Sequence, residues 1–347
     1  IEFITTYTEI GLWNLILNDT ADGYEWSCEM AAEEPEDITA QYAGDEKWGI
    51  PADATSGYAW KVTLNPDAKW DDGTPINADS YIYSMKNMLS PEMNNIRASD
   101  FYTKLPIKYA ENYYMSNKEP SKAAVASDIS VYTDYGDSAL YVSFTLPTAA
   151  FYGYTAADYY NESAPYVNEA GENLMDKYGG EDYVAVTDEV IADINFMLKD
   201  WYGLEEVSDT SYLDMAFYDK VLEPKTFEEI GFFKTGDYEL NVILYNPLTP
   251  YFFKYYSIAF GLVNEEKYEA GKTKTGDMIK TNYATSADTY RSFGPYKLVS
   301  LQADKEFRLT KNENWYGWTD GRHDDRYRRY GGRGQFHIRA SVPPRQI

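Results

Sequence analysis

An α/β fold is what this sequence predicts, and three observations predict it. Apolar and polar residues alternate at 58–64, 140–146 and 240–244, the period of strands with one buried face. Apolar stripes at helical spacing run through 78–89 and 189–201. The intervals between these segments are unequal, which points to mixed sheets rather than the short repeating units of a doubly wound enzyme. No internal repeat is found.

The elements follow in chain order. Residues 1–57 read as loop-rich, with an acidic run at Glu33, Glu34, Glu36 and Asp37 around Pro35 whose default is a solvated face. In 58–64, Trp60, Val62 and Leu64 alternate with Ala59, Lys61 and Thr63, and Asn65-Pro66-Asp67 breaks the strand. Lys69-Trp70 is a short extended piece, and Asp71-Asp72-Gly73-Thr74-Pro75 is a turn built from side-chain acceptors, a permissive Gly and a Pro that cannot donate. Asn77 then caps a helix carrying Ala78, Tyr81, Ile82, Met85, Met88 and Leu89 on one face, stopped by Pro91. Leu140, Val142, Phe144 and Leu146 mark a strand. Thr187 or Asp188 caps a core helix from Glu189 to Trp201, and Leu240, Val242 and Leu244 mark another strand. Gly294-Pro295-Tyr296 opens a hairpin, 296–301 against 306–310 with a turn at 302–305.

Composition removes several functions. The 347 residues carry 31 basic and 56 acidic side chains, a formal charge of −25, so a nucleic-acid backbone would be repelled. No run of eighteen apolar residues is present to span a bilayer. The charge is uneven: residues 322–347 hold seven of the ten Arg, both His and no Lys, for a net +5, while the preceding 321 residues stand at −30. That switch in usage reads as an atypical basic tail that comes from a shifted reading frame, with a basic interaction arm as the alternative. Cys28 is the only cysteine, so an intrachain disulfide, a CxxC site and a cysteine zinc site are excluded. The opening IEFITTYTEI has neither a basic nor an apolar leader region, as expected of a mature protein or an internal fragment, and the residues before Cys28 do not resemble a lipid-attachment site.

Catalytic and metal motifs are weak. Asn18 to Gly23 followed by Glu29 puts Gly at position six and Glu at position twelve of a calcium loop, yet Asn18, Thr20 and Trp26 stand at ligand positions one, three and nine. Only Asp22 and Glu29 would bring charge, and a plain Asp-Gly turn explains the same residues. There is no GxSxG elbow, no histidine before the tail, and no GxGxxG or GxxxxGK[ST] loop. An enzyme, a metal and a cofactor are therefore not expected. The aromatic surplus, 35 Tyr and 8 Trp against 15 Phe, suits surfaces that are half apolar and half wet. Clusters such as Phe101-Tyr102 and Tyr251-Phe252-Phe253 with Tyr255-Tyr256 suit a groove for peptides or sugars, or simply core and rim.

Two blocks carry a family likeness. Trp70-Asp71-Asp72-Gly73-Thr74-Pro75-Ile76-Asn77-Ala78-Asp79, preceded by the strand at 59–64, resembles the W-x-D-G-x-P-x-x-A-x-D signature of the extracellular solute-binding proteins of ABC transporters, in the peptide/nickel-binding family that includes oligopeptide-binding proteins. Phe293-Gly294-Pro295-Tyr296 with Lys311-Asn312-Glu313-Asn314-Trp315-Tyr316 resembles that family's G-x-G-P-Y and R-N-x-x-Y-W elements, with Lys311 in place of Arg. The resemblance spans roughly residues 9–321.

It implies a periplasmic-binding-protein type II-like fold in which two lobes close over a ligand and deliver it to a membrane permease. Residues 1–58 and 241–321 would form lobe I, residues 59–240 the extra subdomain of peptide-binding members, and 322–347 the atypical tail. Family members are longer, so a largely missing second lobe and half of a ligand site open to solvent are expected. The implied protein is an extracellular or periplasmic lipoprotein, anchored at the cell surface when full length, monomeric, and partnered by a peptide and a permease. By position, Arg97, Ser99, Phe101 and Tyr102 are the expected ligand contacts, with Tyr251 and Phe252 as weaker candidates. Arg97 stands out because a guanidinium fork on a carboxylate is a role for which Lys is a poor substitute, although an ordinary surface ion pair would also account for it. The Trp70–Asp79 block itself reads as structural. A carbohydrate-binding or carbohydrate-active protein using aromatic and acidic groove residues is the alternative.

Overall fold

The computed structural model describes residues 2–18, 20, 22–119, 121–124, 140–142, 167–178, 183–202, 206–208, 210–220, 222–258, 260–302, 306–321, 323 and 335–339. The chain divides into two compact units, 1–118 with 223–347, and 119–222.

In the first unit, the stretch expected as loop contains helix α1 (Glu2–Thr8) and a hairpin of β1 (Trp13–Leu17) and β2 (Tyr24–Cys28). The period-2 signal fails there for a physical reason: Leu15, Ile16 and Leu17 are apolar in succession, so apolar residues occupy both faces, and Leu15 and Leu17 are exposed although they share a face with buried Trp13. The calcium-like loop is this hairpin's turn, closed by Asn18 N–H donating to the Gly23 carbonyl at 3.0 Å. Thr20 Oγ1 and Asn18 Nδ2 both donate to Asp22, at 2.6 and 2.9 Å.

The central sheet runs β3 (Glu36–Asp37), β4 (Ala59–Thr63), β10 (Glu239–Ile243), β9 (Phe232–Gly236). The strands expected at 58–64 and 240–244 are β4 and β10, and they pair with each other, Val242 opposite Trp60. Both faces are covered. Trp60, Val62 and Leu240 join one core with Trp13 and Phe253, whereas Ala59 and Ile243 join a second with Trp48 and Ile50. Among the described residues every strand pairing is antiparallel, where mixed sheets were expected. Tight hairpins connect β9 to β10, β11 (Lys272–Thr275) to β12 (Met278–Thr281), and β13 (Tyr296–Gln302) to β14 (Glu306–Lys311), and such short links can only reverse the chain.

Helix α2 (Ala78–Met88) forms as the spacing predicts. Asn77 accepts from Ser80 N–H at 3.3 Å and Ser80 Oγ accepts from Asn77 N–H at 3.4 Å, a reciprocal cap. Ala78, Tyr81, Met85 and Leu89 are buried.

The two motif blocks meet. Trp70 packs edge-on against Phe293 at 5.3 Å between ring centres. Asp71 N–H donates to the Ser292 carbonyl at 2.9 Å, and Asp71 accepts from Ser292 N–H at 3.2 Å. Asn314 Nδ2 donates to the Asp71 carbonyl and Asn312 Nδ2 to the Gly294 carbonyl, each at 2.9 Å. Gly73 sits at φ +90°, which a side chain would strain. The Trp70–Asp79 block thus fixes a corner between distant parts of the chain.

The atypical tail is partly built in. His323 is 4 % exposed, and β15 (Gln335–Arg339) pairs with β14.

The second unit holds the antiparallel sheet β5 (Ser121–Ala124), β8 (Ala216–Lys220), β6 (Leu140–Val142), β7 (Val184–Ala185). Beside it, the helix Asp188–Tyr202 is capped by Thr187 Oγ1, which accepts from Val190 N–H at 3.2 Å. Val190, Ile194, Met197 and Leu198 are buried with Leu140 and Val142. Phe144 and Leu146, the far end of the expected strand, lie outside the described residues.

Candidate ligand-binding site

Helix Pro250–Ser257 supplies one wall. Thr249 caps it, accepting from Phe252 N–H at 3.4 Å, and Pro250 opens it where a missing N–H costs nothing. Phe253 is fully buried and stacks on Trp60 at 4.9 Å, which fixes the helix's inner face. Lys254 is also buried; its ammonium pairs with Glu34 and lies 5.0 Å from the Trp26 ring centre. With those residues turned inward, Tyr251, Phe252, Tyr255 and Ile258 stand outward, each about half exposed. The three rings belong to an aromatic ladder. Trp26 of β2 meets Tyr251 at 5.7 Å, Tyr251 stacks on Tyr255 at 6.3 Å, and Phe252 stacks on Tyr256 at 5.8 Å.

The other wall is an irregular double turn, Ile96–Ser99 followed by Asp100–Lys104. Asn95 starts it by accepting from Arg97 N–H at 2.9 Å. Arg97, Asp100 and Lys104 fall at i, i+3 and i+7, so they share one side. Arg97 Nε lies 3.1 Å from Asp100, and Lys104 Nζ lies 2.8 Å from the same carboxylate. Two cations share one anion. Between the walls is a cavity of 520 Å³ lined by Arg97, Asp100, Lys104, Tyr255, Tyr256 and Ile258.

The expected contacts divide. Arg97 lines the cavity with its side chain 70 % exposed, and Tyr251 and Phe252 lie on the adjoining ladder. Ser99 is part of the turn's own framework, Oγ donating to the Ile96 carbonyl at 3.2 Å. Phe101 is placed in the core at 1 % exposure, stacked on Phe260 at 5.7 Å. Tyr102 is half-buried against Tyr114 at 5.8 Å, and burial with the neighbouring charges pushes its hydroxyl up to about 12. Lys104 and Asp100 are lining residues that the sequence reading omits; their spacing from Arg97 is the signal that finds them.

Among the described residues no group of three or more His, Cys, Asp or Glu is placed to hold a metal ion. Nor, among them, is any helix long and apolar enough to cross a membrane.

Residues 45–183 match the family model "Bacterial extracellular solute-binding proteins, family 5 Middle". A search of curated proteins finds no match. Among solved structures, the chain is similar to the substrate-binding domain of an oligopeptide ABC transporter from Bacillus anthracis str. Ames, at 14% identity and TM-score 0.45 over 90% of this chain and 33% of that one. It is similar also to the pheromone receptor PrgZ, at 12% identity, TM-score 0.44, and 90% and 35% coverage. A third is Listeria monocytogenes OppA bound to peptide, at 16% identity, TM-score 0.39, and 90% and 34% coverage. The chain spans about a third of the length of those structures. The expected fold class, α/β of the type II periplasmic-binding-protein kind, is the one the family match carries. Residues 45–183 are thus similar to the bacterial extracellular solute-binding proteins of family 5, the kind the chain's two motif blocks resemble.

Proposed function

We propose that this chain is part of the substrate-binding component of an ABC importer, which captures extracellular oligopeptides and hands them to a membrane permease. The observation that carries the reading is the 520 Å³ cavity in which Arg97 and Lys104 share Asp100 beside the tyrosine ladder. A peptide needs both kinds of surface. Its terminal or side-chain carboxylate is drawn to the one positive charge left over from that trio, and guanidinium offers it a two-pronged donor. Its side chains lie on rings that give contact area at small entropic cost and in space where water bridges mismatches, so sequence specificity is low.

The domain plan belongs to the same proposal: lobe I from 1–58 and 241–321, and an extra subdomain from 59–240. So do the surroundings, a cell-surface protein outside the cytoplasmic membrane with peptide and permease as partners and no reaction of its own.

The test is a tryptophan-fluorescence titration with mixed tri- to pentapeptides, each as free acid and as C-terminal amide. Free acids are expected to saturate the signal, with amides and the Arg97→Ala protein about tenfold weaker. Equal affinities for acid and amide, or saturation by oligosaccharides alone, would overturn the reading.

A further inference from the structure

A second cavity lies in the first unit, away from the tyrosine ladder. It measures 230 Å³ and is lined chiefly by apolar side chains, among them Ile4, Met88, Leu262, Leu298 and Leu301. A single water occupies about 10–15 Å³ of such space, so the cavity holds something larger than a structural water. One ionisable acid opens onto it, Glu9, with Tyr283 and Tyr290 beside it.

The bonding around Glu9 is short of a charge. Tyr290 has one proton and two oxygen neighbours, Glu9 Oε1 at 2.7 Å and Thr8 Oγ1 at 2.8 Å. Thr8 gives its own proton to the Ile4 carbonyl at 2.9 Å. With Glu9 ionised, Tyr290 donates to it and the contact with Thr8 has no proton; with Glu9 protonated, all three contacts are filled. Burial likewise pushes the Glu9 carboxyl up from its ordinary value, against the lowering effect of Tyr290, and no cation is among the groups that act on it. The buried or half-buried acids Asp71, Asp100 and Glu29 of this unit each have a basic partner within 4.0 Å. Among the described residues, the side-chain partner of Glu9 is Tyr290, itself 6 % exposed and held in place by Thr8.

We propose that this cavity is a ligand site for a small organic cation, a primary ammonium on a short unbranched apolar body. The ammonium sits on Glu9 and the apolar body lies against Ile4, Leu262, Leu298 and Leu301. On binding, the Glu9 proton leaves to solvent, Tyr290 donates to the carboxylate, and the ammonium supplies the missing positive charge, so charge is balanced throughout. The rings of Tyr283 and Tyr290 add a favourable face for a desolvated cation. The site shares no lining residue with the tyrosine-walled cavity and does not depend on peptide capture.

Calorimetric titration of the whole chain with n-butylammonium tests it, with n-butanol and butyrate as shape controls. Saturable binding is expected for the amine, with alcohol and acid at least about tenfold weaker. Glu9→Gln keeps the shape and removes the charge, so the preference for amine over alcohol should disappear. Gly261 lines the cavity and a β-carbon there meets no atom within 4 Å, so the side chain of Gly261→Val starts into open space and should block the amine while leaving Glu9 intact. Circular dichroism checks that each variant is folded, and the Gly261→Val result decides should Glu9→Gln not fold. Amine binding that does not saturate, or that persists unchanged in a folded variant, would overturn the proposal.

Discussion

Glu29 and His323 stand 294 positions apart and meet at 2.7 Å, Oε2 to Nε2, with both side chains nearly sealed from water. Asp320 holds the other ring nitrogen at 2.8 Å, and Trp315 packs against the imidazole at 5.0 Å. Burial disfavours the imidazolium, but the bonds and charges of Glu29 and Asp320 outweigh it and raise His323 above its ordinary 6.5. Removing the ring leaves Glu29 as a buried charge without its partner, so His323→Ala should cost about 3 kcal/mol in urea denaturation. The sign with pH follows from the raised value. The contribution is complete below pH 6.5 and fades as pH rises through the folded pKa, so the wild-type advantage over His323→Ala should shrink on the alkaline side.

Gly294 lies against the backbone of Thr8 and Glu9, and a β-carbon there would stand 2.8 Å from the Thr8 carbonyl carbon. Thr8's carbonyl accepts from both Phe293 N–H, at 2.8 Å, and Gly294 N–H, at 2.7 Å, so neither strand of backbone can yield without losing a bond. Gly294→Ala should therefore destabilise by about 1–3 kcal/mol in chemical denaturation, the usual cost of overpacking. A neutral result would mean that this junction is looser than the contacts imply.

The cap of α2 offers a smaller effect. Asn77→Ala removes the acceptor for Ser80 N–H and should cost about 1 kcal/mol, read as a lower thermal midpoint with unchanged far-ultraviolet dichroism at low temperature.

Lys254 predicts the opposite behaviour to His323. Its partner Glu34 is 56% exposed, so water can take over the carboxylate when the lysine goes. Lys254→Met keeps the stem's packing and loses only a buried ammonium, and its stability should fall within about 1 kcal/mol of wild type. A loss of several kcal/mol in the same denaturation assay would show that the ion pair, not the stem, holds the helix.

How much of this was legible depends on whether local signals agreed. At α2 the cap, the apolar stripe and Pro91 point the same way, and the helix lies where they say. At β1 they conflict, because Leu15, Ile16 and Leu17 are apolar in succession and Leu15 and Leu17 are exposed beside buried Trp13. The cavity was half legible. Arg97 was visible through its rarity in a lysine-rich chain, but the burial of Phe101 was not, since it rests on a stack with Phe260, 159 positions away. His323 shows the limit of composition: the change in residue usage after Gly321 marks the tail as different in kind, yet its first histidine is buried on Glu29. Long-range pairs of that sort leave no trace in local pattern.

The central claim is that peptides lie along Arg97 and the tyrosine ladder. Photocrosslinking measures this most directly, using short peptides that carry a benzoylphenylalanine and a free C-terminal carboxylate, with adducts mapped by mass spectrometry. The account predicts adducts within 96–104 and 250–258, reduced when unlabelled peptide competes and in Arg97→Ala. Adducts that fall elsewhere, or that ignore both competitor and substitution, would contradict it.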